Sequence, residues 1–305
     1  MANDLQNAAI KLYEECFRLK RGERVLIVTD NGREKIANSL EEAAIEKKAL
    51  VDKIKLNPKR ENSAPVPKAA GAFLKADVIV APTEKSISHS PQARLARKKG
   101  ARIASMPRIT DRMFASALKV NLEKIRQTCT KLKKTLDKAK IIEVKASGSQ
   151  LVFNVHKRKF FCDNGKLWKK GTLSNIPFGE VCTYPVNSWG TLLPRVLQNK
   201  ILPKNNGKIV IEENRMLAAT GKTSAFYNYL KKSGKNALQV GELGFGTNPA
   251  FKKPTGNILQ DEKMSQSAHV AFGSSCCYSY NQCKIHEDVV IENVKIWADG
   301  KTIKS

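Results

Sequence analysis

Acidic residues are scarce in this chain. Its 305 residues hold 28 Asp and Glu against 54 Lys and Arg, for a formal charge of +26. Long apolar runs are missing altogether, so no membrane-spanning helix is expected. The N-terminus, Met1-Ala-Asn-Asp-Leu-Gln, has no basic segment leading into a hydrophobic one, so no signal peptide is expected. The seven cysteines are odd in number and form no C-x-x-C pair, which argues against a disulfide framework and for a reducing, cytoplasmic setting. Nucleotide fingerprints are also absent. Gly221-Lys-Thr resembles the tail of a phosphate-binding loop, but Met216 stands where that loop needs its first glycine. Gly241, Gly244 and Gly246 do not make G-x-G-x-x-G. Without G-x-S-x-G, serine–histidine hydrolysis has no support.

What is present reads as a globular α/β protein. Residues 5–19 and 33–48 carry apolar positions at helical spacing. Between them Arg24-Val-Leu-Ile-Val-Thr is a nearly continuous apolar run, the mark of a strand buried on both faces of a parallel sheet. The pattern recurs with a strand at 77–82, a helix at 91–99 and a strand at 101–107, which predicts an open α/β sheet domain over 1–117. Steps of three and four through Leu118, Leu122, Ile125, Cys129, Leu132, Leu136 and Ala139 predict a linking helix over 118–140 with a lysine-rich outer face. Short strands then follow at 141–145, 151–155, 158–162 and 208–212, with a helix at 224–232 and a terminal hairpin. This predicts a mixed α+β domain over 141–305. The charge predicts attraction to anionic surfaces, either nucleic acid or phospholipid.

The chemistry concentrates between 241 and 288, which holds two of the four histidines. His286 and Asp288 lie two apart in a strand-like run, so their side chains project to one face. With His269 and Glu242 they offer the nitrogen and oxygen donors that suit Zn, Mn, Co or Fe(II). Cys276, Cys277, Cys283 and His286 are a weaker alternative, since adjacent cysteines suit one tetrahedral ion poorly. His89, between Ser88 and Ser90, reads as part of a helix-capping turn, and His156 as an exposed turn residue.

Several motifs, in order, resemble a known family. They are Ser86-Ile-Ser-His-Ser-Pro-Gln-Ala-Arg-Leu-Ala, Asn175-Ile-Pro-Phe-Gly-Glu-Val, Gly241-Glu-Leu-Gly-Phe-Gly-Thr-Asn-Pro, Thr255-Gly-Asn-Ile-Leu-Gln-Asp-Glu-Lys, His269-Val-Ala-Phe-Gly and Ile285-His-Glu-Asp. Together they are similar to the metal-dependent aminopeptidases T and S and to their shorter relatives, which include 2,5-dihydroxypyridine 5,6-dioxygenase. The resemblance implies that Glu180, Glu242, His269, His286 and Asp288 ligate metal. In the peptidase branch this is a pair of Zn, Co or Mn ions, with a catalytic tyrosine in the loop between the histidines, for which Tyr278 and Tyr280 are the candidates here. That loop lacks the family's usual glycines. In the dioxygenase branch a single Fe(II) is held by the histidines and a carboxylate. Retention of both glutamates puts the peptidase reading first, with removal of N-terminal residues from peptides as the activity. Ring cleavage by the dioxygenase branch stands second, and an inactive relative binding an anionic partner third. A homodimer is implied by analogy with relatives.

Overall fold

The computed structural model describes residues 2–204, 206–275 and 281–303. It divides into two compact units, one of Met1–Glu123 with Asp163–Phe178, the other of Lys124–Cys162 with Gly179–Ser305.

The first unit is built on a five-stranded parallel sheet. Its order is Leu50–Lys55, Arg24–Thr29, Val78–Thr83, Arg102–Pro107 and Leu173–Asn175. The central strands are apolar throughout because helices cover both faces of such a sheet, and Leu26, Val28, Ile79, Ile87, Ile103 and Phe73 make one buried cluster. The hydroxyl of Ser90 accepts the backbone N–H of Ala93 at 3.2 Å, which caps the Pro91–Lys99 helix, while His89 beside it is exposed. The strand Leu50–Lys55 escaped the sequence pattern because it is an exposed edge carrying Asp52, Lys53 and Lys55.

Residues 163–178 fall with the N-terminal half, whereas the sequence placed them in the C-terminal domain. Leu173–Asn175 extends the parallel sheet beside Arg102–Pro107. The Trp168 indole donates to the carbonyl of Glu15 at 2.9 Å, and the Arg102 guanidinium donates to the carbonyl of Leu167 at 3.3 Å. A three-residue strand has too little sequence to show a period, so the return of the chain was invisible.

The second unit holds two seven-stranded sheets. One runs Arg215–Gly221, Gly207–Glu212, Asn187–Leu192, Ser149–Asn154, Ile141–Ala146, Lys295–Ala298 and Lys301–Ile303. The other runs Lys200–Ile201, Val196–Leu197, His286–Ile291, Ala268–Gly273, Val240–Gly246, Glu180–Thr183 and Phe161–Asp163. The expected helix over 118–140 forms over Leu122–Leu136. Its residues Ile125, Cys129, Leu132 and Leu136 are buried, and Arg126 on the basic side is buried as well. The Cys129 thiol lies 3.0 Å from the Thr247 hydroxyl and 3.8 Å from the carbonyl of Glu180, so this helix backs the Glu180 strand. Among the described residues no helix is long and apolar enough to cross a membrane.

Candidate metal centre

Four neighbouring antiparallel strands of the second sheet carry the site: Glu180–Thr183, Val240–Gly246, Ala268–Gly273 and His286–Ile291. Side chains alternate along each strand. One face of the sheet takes Val181, Leu243, Phe245, Val270, Phe272 and Val289, all buried core. The other face takes the polar set, and its cross-strand rows follow from the register. Glu180 lies opposite Gly246. Cys182 lies opposite Gly244, which lies opposite His269. Glu242 lies opposite Ala271, which lies opposite Asp288, and His286 lies opposite Gly273. Every candidate ligand thus has a glycine or alanine beside it, and the missing side chains make the clearing into which the polar groups turn.

The glycines of Gly241-Glu-Leu-Gly-Phe-Gly have steric duties here. A Cβ on Gly244 would stand 2.1 Å from His269 Nε2, and one on Gly246 would stand 2.1 Å from the carbonyl oxygen of Met264. Gly244 admits an imidazole, and Gly246 admits the Lys263–Met264 backbone against the strand.

The distances within the clearing are consistent with one small cation. Glu242 lies between the two imidazoles, with Oε1 3.4 Å from His269 Nε2 and Oε2 3.3 Å from His286 Nε2. His286 Nε2 is 3.5 Å from Asp288 Oδ1, and His269 Nε2 is 3.6 Å from Glu180 Oε2. A charge-assisted N–H···O contact closes to about 2.7–2.9 Å. Donors each held about 2.0–2.2 Å from one ion stand roughly 3.0–3.5 Å from each other. These groups are therefore spaced as ligands are spaced. The other nitrogen of His286, Nδ1, lies 2.6 Å from the carbonyl oxygen of Ser274. With its proton there, Nε2 points its lone pair into the site, the orienting contact that metal-binding histidines ordinarily make.

Charge in the clearing is mutually stabilised. Burial pushes the His269 imidazolium down, but the hydrogen bond it donates to Glu242 and the charges of Glu180, Asp288 and Glu242 outweigh it, and its pKa rises to about 9. His286 is raised well above the ordinary value in the same way, with burial opposed by Asp288 and Glu242. Burial likewise works against ionised Asp288 and Glu242, yet the facing imidazoles hold both carboxyls below their usual range. A divalent cation would replace the two imidazolium charges.

Four of the five ligands expected from sequence, Glu242, His269, His286 and Asp288, meet in this clearing, and Glu180 borders it at its deepest end. Tyr278 and Tyr280, the catalytic candidates, lie outside the described residues, as do Cys276 and Cys277 of the alternative zinc set. His156 is exposed at a turn. Three neighbours were missed. Cys182 has its thiol grouped with Glu180 and Glu242, ligand atoms all within 4.8 Å of one another. The i, i+2 alternation that paired His286 with Asp288 would have found it. Glu262 and Lys263 arrive from the Thr255-Gly-Asn-Ile-Leu-Gln-Asp-Glu-Lys motif, and Lys263 Nζ lies 2.6 Å from Glu180 Oε2 and 2.7 Å from Glu262 Oε1. A charged triplet, Asp261-Glu-Lys, closing an apolar turn was the available signal.

The family model for NicX, 2,5-dihydroxypyridine 5,6-dioxygenase, matches residues 4–304. The chain belongs to the NicX family. Two solved structures share the fold over nearly its whole length. The 2,5-dihydroxypyridine dioxygenase of Pseudomonas putida superimposes with a TM-score of 0.82 at 17% identity, covering 99% of this chain and 96% of that one. AmpT of Thermus thermophilus gives 0.75 at 13% identity, covering 99% of both. No curated protein matches the chain. The resemblance read from the ordered motifs is therefore the NicX family on an aminopeptidase-like scaffold. The peptidase reading, put first on the strength of the two glutamates, is not the one that the family model favours.

Proposed function

We propose that this NicX-family protein is a metal-dependent ring-cleaving dioxygenase acting on a small dihydroxylated aromatic ring of the hydroxypyridine type. The observation that carries the reading is the convergence of His269, His286 and Asp288 on one clearing, a two-histidine, one-carboxylate set suited to Fe(II). His269, His286 and Asp288 would hold the ion, which when bound supplies a centre for oxygen and for the electron-rich ring.

The protein's own groups do the rest. Ser274 fixes the His286 ring through Nδ1, leaving Nε2 for the site. Glu242, with its oxygens 3.4 and 3.3 Å from the two imidazole nitrogens, is placed to take the proton of a ring hydroxyl. Access is from one end: the His286 side chain is 28% exposed and that of Asp288 14%, while His269 and Lys263 are 1% exposed. The ring would enter beside His286, and the apolar far face of the sheet excludes water from below. Both oxygen atoms end in the opened product, so the reaction needs no external reductant.

The test is anaerobic loading with Fe(II), followed by oxygen uptake and loss of ring absorbance with 2,5-dihydroxypyridine and dihydroxybenzenes. One oxygen consumed per ring opened is the expected result. No uptake, together with cleavage of an aminoacyl chromogen after loading with Zn, Co or Mn, would overturn it in favour of an aminopeptidase. The retained pair Glu180 and Glu242 is the one observation on that side.

A further inference from the structure

We infer that the Lys263 ammonium occupies the place of a second cation, so that this site takes one metal ion and Glu180 is a partner of lysine instead of metal. The inference rests on the single-ion reading above and sharpens it.

The acidic groups around the clearing are Glu180, Glu242, Glu262 and Asp288. Paired-ion sites use bridging carboxylates of this kind to hold two cations. Here one positive charge is already built into the chain. Lys263 is fully buried, and its Nζ bridges Glu180 Oε2 at 2.6 Å and Glu262 Oε1 at 2.7 Å. An ammonium between two carboxylates at these separations sits as a bridging cation would. Glu180 Oε2, the oxygen it engages, is also the one that faces His269 at 3.6 Å. The ion falls to the rest of the clearing, His269, His286 and Asp288, with Glu242 between the two imidazoles.

The lysine is not a chance visitor. Its backbone is locked on both sides: Asn248 N–H donates to the Lys263 carbonyl at 2.8 Å, and Lys263 N–H donates to the Gln260 carbonyl at 3.1 Å. The turn that leads to it is tied by the buried Asp261 carboxylate, which accepts from Gly256 N–H at 2.7 Å and from Thr255 N–H at 2.9 Å. On the strand side Gly246 lets this backbone approach, since a Cβ there would stand 2.7 Å from the Lys263 carbonyl carbon. A long flexible side chain buried completely and delivered by a rigid turn is an arrangement that fixes a charge in space.

The experiment counts metal without reference to turnover. Chelated protein is titrated with manganese(II) alone, followed by calorimetry and by elemental analysis of the desalted complex. The wild type should bind one ion per chain. Lys263→Ala should bind two, the second through Glu180 and Glu262, and Lys263→Arg should return to one. Because Lys263→Ala leaves buried carboxylates without their cation, its metal-free form is expected to be destabilised. The neutral pair Glu180→Gln with Lys263→Gln covers that case, and it should keep one ion with affinity within about threefold of wild type. Two ions on the wild type, one on folded Lys263→Ala, or loss of the ion from the double variant would each overturn the inference. A single ion on the wild type without ring cleavage would instead overturn the proposed reaction and leave the role of Lys263 standing.

Discussion

Gly244 and His269 face each other across an antiparallel pair, and a Cβ on the glycine would fall 2.1 Å from the imidazole Nε2. The donor atom of His269 therefore occupies space that exists only because its neighbour has no side chain. Gly244→Ala should fold, since its backbone φ is not in the positive region, but should push the ring out of the clearing. A loss of metal affinity of tenfold or more, about 1.4 kcal/mol, is expected in competition with a fluorescent chelator. Unchanged affinity would show that the ring can move without cost.

His286→Ala removes a donor and the contact to Ser274 together, and Asp288→Asn removes charge while keeping shape. Both should reduce metal occupancy after dialysis to below about a tenth of wild type, the range that loss of a direct ligand commands. Each should retain the wild-type circular dichroism. Stoichiometric metal in His286→Ala would sink the ligand assignment.

The metal-free protein should lose stability as the pH rises from 7 to 9. In the folded state His269 titrates near 9, against about 6.5 in an unfolded chain, and His286 is raised too. A base whose folded pKa is raised stabilises fully below the unfolded value, and that stabilisation disappears as the pH passes the folded value. For His269 alone it is on the order of 3 kcal/mol. The lowered carboxyls, Glu242 and Asp288, act in the opposite sense, adding stability above about pH 4 that is lost on acidification. Burial also raises the Glu262 carboxyl to about 8, which removes stability as the pH climbs from about 5 to 8, in the same sense as the histidines. Melting temperatures of chelated protein should therefore peak at about pH 5 and fall towards pH 9. A flat profile for the chelated protein would contradict the imidazolium–carboxylate pairing.

Asp261→Ala should destabilise the second unit by about 2–4 kcal/mol, because three donors, the N–H groups of Thr255 and Gly256 and the Thr255 hydroxyl, lose one buried carboxylate. Urea unfolding followed by tryptophan fluorescence would read it. A change below about 0.5 kcal/mol would mean that the turn holds without its anchor.

Much of the parallel sheet was legible because burial on both faces writes a plain apolar run, as in Val25–Val28 and Val78–Ala81. The edge strand Leu50–Lys55 and the short Leu173–Asn175 were not, since an exposed edge is free to be charged and three residues show no period. In the site, His286 and Asp288 were readable from alternation within one strand. The meeting of Glu180, Glu242 and His269 was not readable from spacing, because it depends on which strands pair and in what register. Glu242 and His269 were named as donors only for lying in the same motif-rich stretch as His286, and Glu180 came from the family resemblance alone. Lys263 shows the limit most clearly: a lysine in a basic chain looks like one more surface charge, and only the fold reveals that it is fully buried against Glu180 and Glu262.

The return of residues 163–178 to the first unit has a consequence during synthesis. When the ribosome has made Pro107, four parallel strands are available, but Arg102–Pro107 is an open edge until Leu173–Asn175 emerges. At roughly 5–20 residues per second that wait lasts several seconds. Throughout it, a nascent chain displays unpaired backbone donors and acceptors along a buried-type strand, an invitation to pair with a neighbour on the same polysome. The interval is one in which a chaperone, or a slow-translating stretch placed after residue 175, would be expected to raise the yield of folded protein.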